Sequence, residues 1–218
     1  MKSVGVLLSG CGVFDGAEIH ESVLVLLALD RANVRVVCTA PDAPQHHVVN
    51  HLTGQPVPHE QRNILVEAAR IARGKIQPLA GFDVGQVDAL IVPSGFGAAK
   101  NLCNLALAGD QFQVQPDVVR VLEAAHKAGK PIGFVCIAPA IAARLFGKLG
   151  VEVTIGTEAD TARVLESAGA HHVNCNVHNI VVDRRLKIVT TPAYMLATRI
   201  SEAEAGINKL VQAVLEMA

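Results

Sequence analysis

An α/β domain, with a mostly parallel sheet covered by helices on both faces, is the fold this chain predicts, and three observations carry that reading. Half of the 218 residues are apolar, yet only 3% are aromatic and none is tryptophan. The core must therefore be built from Val, Leu, Ile and Ala, the residues of parallel strands buried on both faces. Short unbroken apolar runs alternate with segments of helical periodicity along the whole chain, the order from which βαβ units are made. No stretch resembles a linker and no repeat or low-complexity tract divides the sequence, so residues 1–218 read as a single domain.

Residues 3–9 form the first buried strand and end in Gly10-Cys11-Gly12, a loop that must approach something closely. Apolar and polar positions then follow helical spacing over 19–32, and 34–39 is the next buried strand. Residues 41–60 are long, polar and broken by prolines, and read as a surface excursion. A helix over 63–72 leads to a strand at 88–93, which runs into Ser94-Gly95-Phe96-Gly97 and a helix over 98–108. The helix over 117–128 stops at Gly129 before Pro131, and 132–135 is the next strand. Beyond it lie a helix to 146, a strand at 151–155, a helix over 159–168, strands at 179–183 and 187–191, and a final helix to 216.

The charge balance excludes several functions. Nineteen Lys and Arg face twenty Asp and Glu, and no basic run with interleaved aromatics provides a nucleic-acid footprint. No apolar stretch approaches the roughly 20 residues that span a bilayer, and the first strand starts at Ser3, so a cytosolic protein is the expectation. Five cysteines, at 11, 38, 103, 136 and 175, form no Cys-x-x-Cys pair and argue against a disulfide framework or structural zinc. His46, His47, His51 and His59 match no common ligand spacing, so no metal is expected.

Chemistry concentrates at Cys136. In Gly133-Phe134-Val135-Cys136-Ile137-Ala138-Pro139-Ala140 an apolar strand turns directly into a helix. Such an elbow pushes its side chain out of the sheet edge and aims helical N–H groups at it, an arrangement expected to favour thiolate. Ala138 is small where a tight elbow tolerates no bulk, and Pro139 suits the first helical turn. The alternative is a buried structural thiol. Cys11, in its glycine-flanked loop at a strand end, is a second thiol able to approach the site. Glu18 and Glu21 open the helix after the first strand and are the carboxylates at the same edge, either as proton carriers or simply as complements to the helix dipole. Gly95 and Gly97 would let backbone N–H groups approach an oxyanion.

These residues together resemble the PfpI/ThiJ branch of the class I glutamine-amidotransferase-like superfamily, and most closely its ElbB glyoxalase family. The resemblance runs through Leu8-Ser9-Gly10-Cys11-Gly12-Val13-Phe14-Asp15-Gly16, Glu18-Ile19-His20-Glu21, Asn50-His51-Leu52-Thr53-Gly54, Gly95-Phe96-Gly97-Ala98-Ala99-Lys100-Asn101-Leu102, Cys136-Ile137-Ala138-Pro139-Ala140 and Thr190-Thr191-Pro192-Ala193-Tyr194-Met195. It implies a flavodoxin-like three-layer sandwich with a nucleophile elbow, no cofactor, a small dicarbonyl substrate such as glyoxal and assembly as a homodimer. It also implies Cys136 as nucleophile, Glu21 rather than Glu18 as its carboxyl partner, and the N–H groups of Gly95 and Ile137 as oxyanion donors, with His20 as an auxiliary base. Two departures narrow the chemistry. Ile137 stands where peptidase-like members carry histidine, and no histidine is followed two residues later by the glutamate of a glutaminase.

Overall fold

The computed structural model describes all 218 residues. Its elements, in chain order, are β1 (Ser3–Leu7), α1 (Ile19–Arg31), β2 (Arg35–Ala40), β3 (Val49–Asn50), β4 (Gln55–Pro56), α2 (Ile64–Ile71), β5 (Ile76–Pro78), β6 (Ala89–Val92), α3 (Leu105–Ala108), α4 (Pro116–Lys127), β7 (Ile132–Val135), α5 (Pro139–Phe146), β8 (Glu152–Val153), α6 (Ala159–Ser167), β9 (His171–His172), β10 (Val181–Asp183), β11 (Ile188–Thr191) and α7 (Ile200–Met217). Seven strands form the central sheet in the order β10-β11-β7-β6-β1-β2-β5. All are parallel except the edge strand β10.

Every residue of β1, β6, β7 and β11 is buried, as continuous apolar runs covered on both faces must be. Two cores result. Leu7, Leu90 and Phe134 pack with Val121 and Leu122 of α4 and with α5 on one face. Val4, Val6 and Ile91 pack with Val25 and Leu29 of α1 and with Ile207 and Leu210 of α7 on the other. This is the expected three-layer α/β sandwich. No helix is long and apolar enough to cross a membrane.

The chain leaves β1 for β2 on one side and later fills the other side with β6. The loops after β1 and β6 therefore diverge at a topological switch point, where open parallel sheets bind ligands. Here the two loops are pinned to each other: Glu18 N–H donates to Ser94 O at 2.7 Å, Phe96 N–H to Val13 O at 2.8 Å and Gly97 N–H to Gly16 O at 2.8 Å.

Four elements differ from the sequence expectation. The helix expected over 98–108 is a single π-turn, Ala98–Leu102, followed by Cys103 in an extended bridge to Val114 and then the short α3. Its turn is widened because Asn101 Nδ2 reaches in to Ser9 O and Asp15 O, and Lys100 Nζ to Phe14 O. The excursion over 41–60 is in part a strap: Val49 N–H donates to Asp15 Oδ2 and His46 N–H to Asn101 Oδ1, while Val48 and Val49 are buried. Strand β5 was not anticipated, since it is three residues long and ends in Pro78, a residue tolerated only at a sheet edge. In the segment 151–155 only β8 pairs, with β9, outside the main sheet.

The loop seam allows no bulk. A Cβ on Gly97 would lie 2.5 Å from Gly16 C and 2.5 Å from Ser9 Oγ. Gly97→Ala is therefore expected to destabilise the fold by about 1–3 kcal/mol, read as a lower denaturation midpoint with an unchanged slope.

Candidate active site

The elbow forms as the sequence implies. Strand β7 ends at Val135, Cys136 adopts φ 59°, and α5 begins three residues later at Pro139. A left-handed conformation at a non-glycine residue stores about 1–3 kcal/mol and persists only where its surroundings fix it. Cys136 N–H donates to Thr191 O at 2.9 Å, and Ala138 N–H closes the turn on Val135 O at 3.0 Å.

Glu21, in the first turn of α1, has no solvent exposure. Ser94 N–H donates to its Oε2 at 3.3 Å and Tyr194 N–H to its Oε1 at 3.2 Å, and its carboxyl group lies beside the Cys136 thiol. Burial first, then the neighbouring Glu18, pushes the Glu21 carboxyl up to about 8, against the pull of Tyr194, Cys136 and Ser94. Burial first, and then Glu21, likewise holds the Cys136 thiol well above its ordinary value, opposed by the Ser94 hydroxyl and the Ile137 N–H. The thiolate expected at a helix N-terminus is thus overturned. Desolvation of a fully buried group shifts a pKa by up to 3–5 units, whereas a helix end contributes only about 0.3–2 kcal/mol.

A cavity of about 300 Å³ opens above the elbow, lined by Glu18, Gly95, Phe96, Cys136, Thr161 and Tyr194 among others. A larger hollow between α1 and α7, lined by Lys2, Arg31 and Gln212, lies away from this chemistry. Gly95 has φ 96°, and a Cβ there would sit 2.5 Å from both Glu18 N and Gly16 O, so only glycine fits. Its N–H donates to no protein acceptor and remains available to an oxyanion. The other two expected donors do not: Gly97 N–H is held by Gly16 O, and Ile137 N–H by Ser94 Oγ at 3.2 Å. Because Ser94 Oγ accepts that bond, its own proton is free to point at sulfur or at an oxyanion.

The carboxylates divide their tasks. Glu21 touches the thiol but does not line the cavity, whereas Glu18 does, with Oε2 capping α1 by accepting Glu21 N–H at 2.7 Å. The resemblance assigns Glu21 to the thiol, but nothing local in the sequence places Glu18 at the cavity, since both lie in one helical turn. Cys11 is half-buried, with its thiol pushed up by burial and by Glu67, and is not part of the cavity lining. His20 is exposed but reaches the site indirectly, through Nδ1 to the Tyr194 hydroxyl at 2.8 Å. No role is expected of Tyr194 from sequence, although it lies just beyond the buried strand β11, the position that could have flagged it. Thr161, from α6, carried no local signal. Of the loop histidines, His51 faces Asp15 at 3.8 Å and His46 meets His47 edge to face; no group of three or more His, Cys, Asp or Glu is placed to hold a metal.

Comparison with known proteins finds no matching family model. The human protein named glutamine amidotransferase-like class 1 domain-containing protein 3, mitochondrial, is 47% identical over 223 positions, covering 98% of this chain and 82% of the relative. A crystal structure from Ehrlichia chaffeensis, described as an isoprenoid biosynthesis protein with an amidotransferase-like domain, superposes with TM-score 0.93 at 37% identity, covering 100% of this chain and 99% of that one. A DJ-1 superfamily protein from Agrobacterium tumefaciens shares the fold, with TM-score 0.58 at 16% identity over 98% of this chain and 91% of that one. The cytosolic expectation is corrected by these comparisons: the human relative and the ES1 proteins of Rattus norvegicus and Danio rerio are all named as mitochondrial.

The raised Glu21 pKa has a defined sign. A carboxyl that ionises at 4.5 when unfolded and at about 8 when folded contributes stability that is whole below pH 4.5 and is lost as pH rises through 8. Wild-type stability should fall relative to Glu21→Gln by up to about 1.4 kcal/mol per pH unit in that window, measured by denaturation at each pH. The same substitution removes the repulsion on sulfur, so Cys136 should alkylate several-fold faster at pH 8 in Glu21→Gln than in wild type, followed by mass spectrometry.

Proposed function

The chain belongs to the glutamine amidotransferase-like class 1 family and shares the fold of DJ-1 superfamily proteins, and on that premise we propose that it is a glyoxalase, needing no cofactor, that converts glyoxal or a similar small dicarbonyl to a hydroxy acid such as glycolate. The observation that carries this reading is a neutral, buried thiol at a strained elbow, in a cavity of about 300 Å³ that holds one free backbone donor and one carboxylate. A thiol that keeps its proton until it meets an electrophile suits reversible addition to an aldehyde.

In the first step Cys136 Sγ adds to an aldehyde carbon and the thiol proton moves to the new hydroxyl oxygen, giving a hemithioacetal. That oxygen is held by Gly95 N–H and the Ser94 hydroxyl, with Ile137 N–H behind Ser94. Glu21 manages the charge on sulfur. The relay during rearrangement, expected of Glu21 on sequence grounds, passes to Glu18, the carboxylate that lines the cavity. Removal of the carbon-bound proton gives an enediol, reprotonation at the second carbon gives a thioester, and water releases the hydroxy acid. The alternative of a thiol-based aldehyde or oxidation sensor, or a deglycase-like repair protein, shares the first step only. A role in isoprenoid metabolism is favoured by the description of the Ehrlichia relative.

With excess glyoxal, wild type is expected to form glycolate over many turnovers by NMR, and Cys136→Ala to lose at least about 100-fold of that rate. Glyoxal loss that stops at one equivalent per thiol, without glycolate, would sink the enzyme reading in favour of the sensor. The homodimer we assign to the row Ile19, Val23 and Leu27, exposed at 43, 47 and 37% on one face of α1, is an apolar stripe able to pair with itself about a two-fold axis. Val23→Lys should shift the sedimentation coefficient from that of a dimer to that of a monomer.

A further inference from the structure

Tyr194 is the sole tyrosine in a chain without tryptophan, and it stands where the cavity and three strand ends meet. It follows β11, whose last residue accepts the Cys136 N–H, and it precedes Met195, which also lines the cavity. Ala193, immediately before it, is in a left-handed conformation with φ 43°, so the backbone is bent at this point to present the side chain. Its own N–H is tied to Glu21 Oε1 at 3.2 Å. Tyr194 lines the cavity, and its hydroxyl lies 2.8 Å from His20 Nδ1, with the two rings tilted at 47° and their centroids 5.8 Å apart.

We propose that the Tyr194 hydroxyl is a catalytic acid for the carbonyl oxygen remote from Cys136, and that His20 is the residue that positions it and steadies its phenolate. This deepens the glyoxalase reading and rests on it. After the hemithioacetal forms, Glu18 takes the proton from the first carbon, the electrons of that C–H bond become the C=C bond, and the second carbonyl oxygen takes the phenolic proton. His20 Nδ1–H then donates to the phenolate. Glu18 returns its proton to the second carbon while the hydroxyl on the first carbon gives its proton back to Tyr194, leaving a thioester and both side chains as they began. No oxidant or external acid is needed. Water then cleaves the C–S bond.

The charged surroundings keep the hydroxyl protonated until it is used. Burial first, then Glu18 and Glu21, pushes the Tyr194 phenol up. On α7, the helix packed against this turn, Glu202 is bound by Thr198 and Arg199, and Glu204 by Arg31, so neither competes for the phenol.

The experiment combines turnover with the emission of the single tyrosine. Tyr194→Phe removes one oxygen and is expected to leave the rate of glyoxal addition to Cys136, followed as added mass, unchanged while kcat falls by about 100-fold. His20→Gln should lower kcat less and leave KM within about twofold, a split that loss of packing would not produce. In wild type, adduct formation at Cys136 should change tyrosine emission, and in His20→Gln the unliganded emission should itself differ. Tyr194→Phe with kcat within about twofold of wild type would overturn the proposal while leaving the glyoxalase reading intact. If wild type forms the adduct but no glycolate, the glyoxalase reading fails, and the assigned catalytic role fails with it. In that case the emission change still decides whether Tyr194 meets the bound carbonyl: an adduct that leaves emission unaltered removes the contact as well.

Discussion

One carboxyl group without access to water holds the site together. Glu21 accepts from Ser94 after β6 and from Tyr194 after β11, and meets the Cys136 thiol after β7. It therefore joins the ends of three strands to the helix that follows the fourth. A buried carboxyl is tolerable only when its acceptors are satisfied or its proton is retained, and here both hold. The position of the thiol, the free Gly95 amide and the bend at Ala193 all depend on that group remaining in place.

The competition between burial and the helix terminus decides the protonation of the Cys136 thiol. Taken alone, an elbow leading into α5 suggests a ready thiolate. With Cys136 buried and a carboxyl beside it, desolvation outweighs the helix end and the proton stays on. A thiol of this kind is protected from casual alkylation and oxidation, since it is the thiolate that reacts. On the proposed reading, the aldehyde oxygen beside Gly95 N–H and the Ser94 hydroxyl takes its proton. Ser94 accepts the Ile137 N–H on its hydroxyl oxygen, so this backbone donor is occupied while the hydroxyl proton stays free.

Much of this was legible in the chain. Continuous runs such as Ser3–Leu7 and Ala89–Val92 announce strands covered on both faces, and the Gly133–Ala140 segment announces the elbow, because strand burial and turn chemistry are local properties. The π-turn at Ala98–Leu102 was not legible, since it is imposed by Asn101 and Lys100 reaching a loop more than eighty residues away. Nor was the role of the excursion as a strap, which depends on Asp15 meeting Val49. Glu18 and Glu21 show the same limit at finer scale: they lie three residues apart on one turn, and only the loops packed over them decide which faces sulfur and which faces the cavity.

The sequence by itself determined the sandwich, its elbow and the thiol that stands at that elbow, because hydrophobic periodicity and a strand running straight into Ile137-Ala138-Pro139 are written in neighbouring residues. Only the tertiary structure decided the charge state of that thiol, the acidic residue that lines the cavity, the donors left free and the place of Tyr194 with His20. Those properties arise from desolvation and from hydrogen bonds between segments as far apart as residues 20 and 194, and neither can be summed along a chain before the strands bring them together.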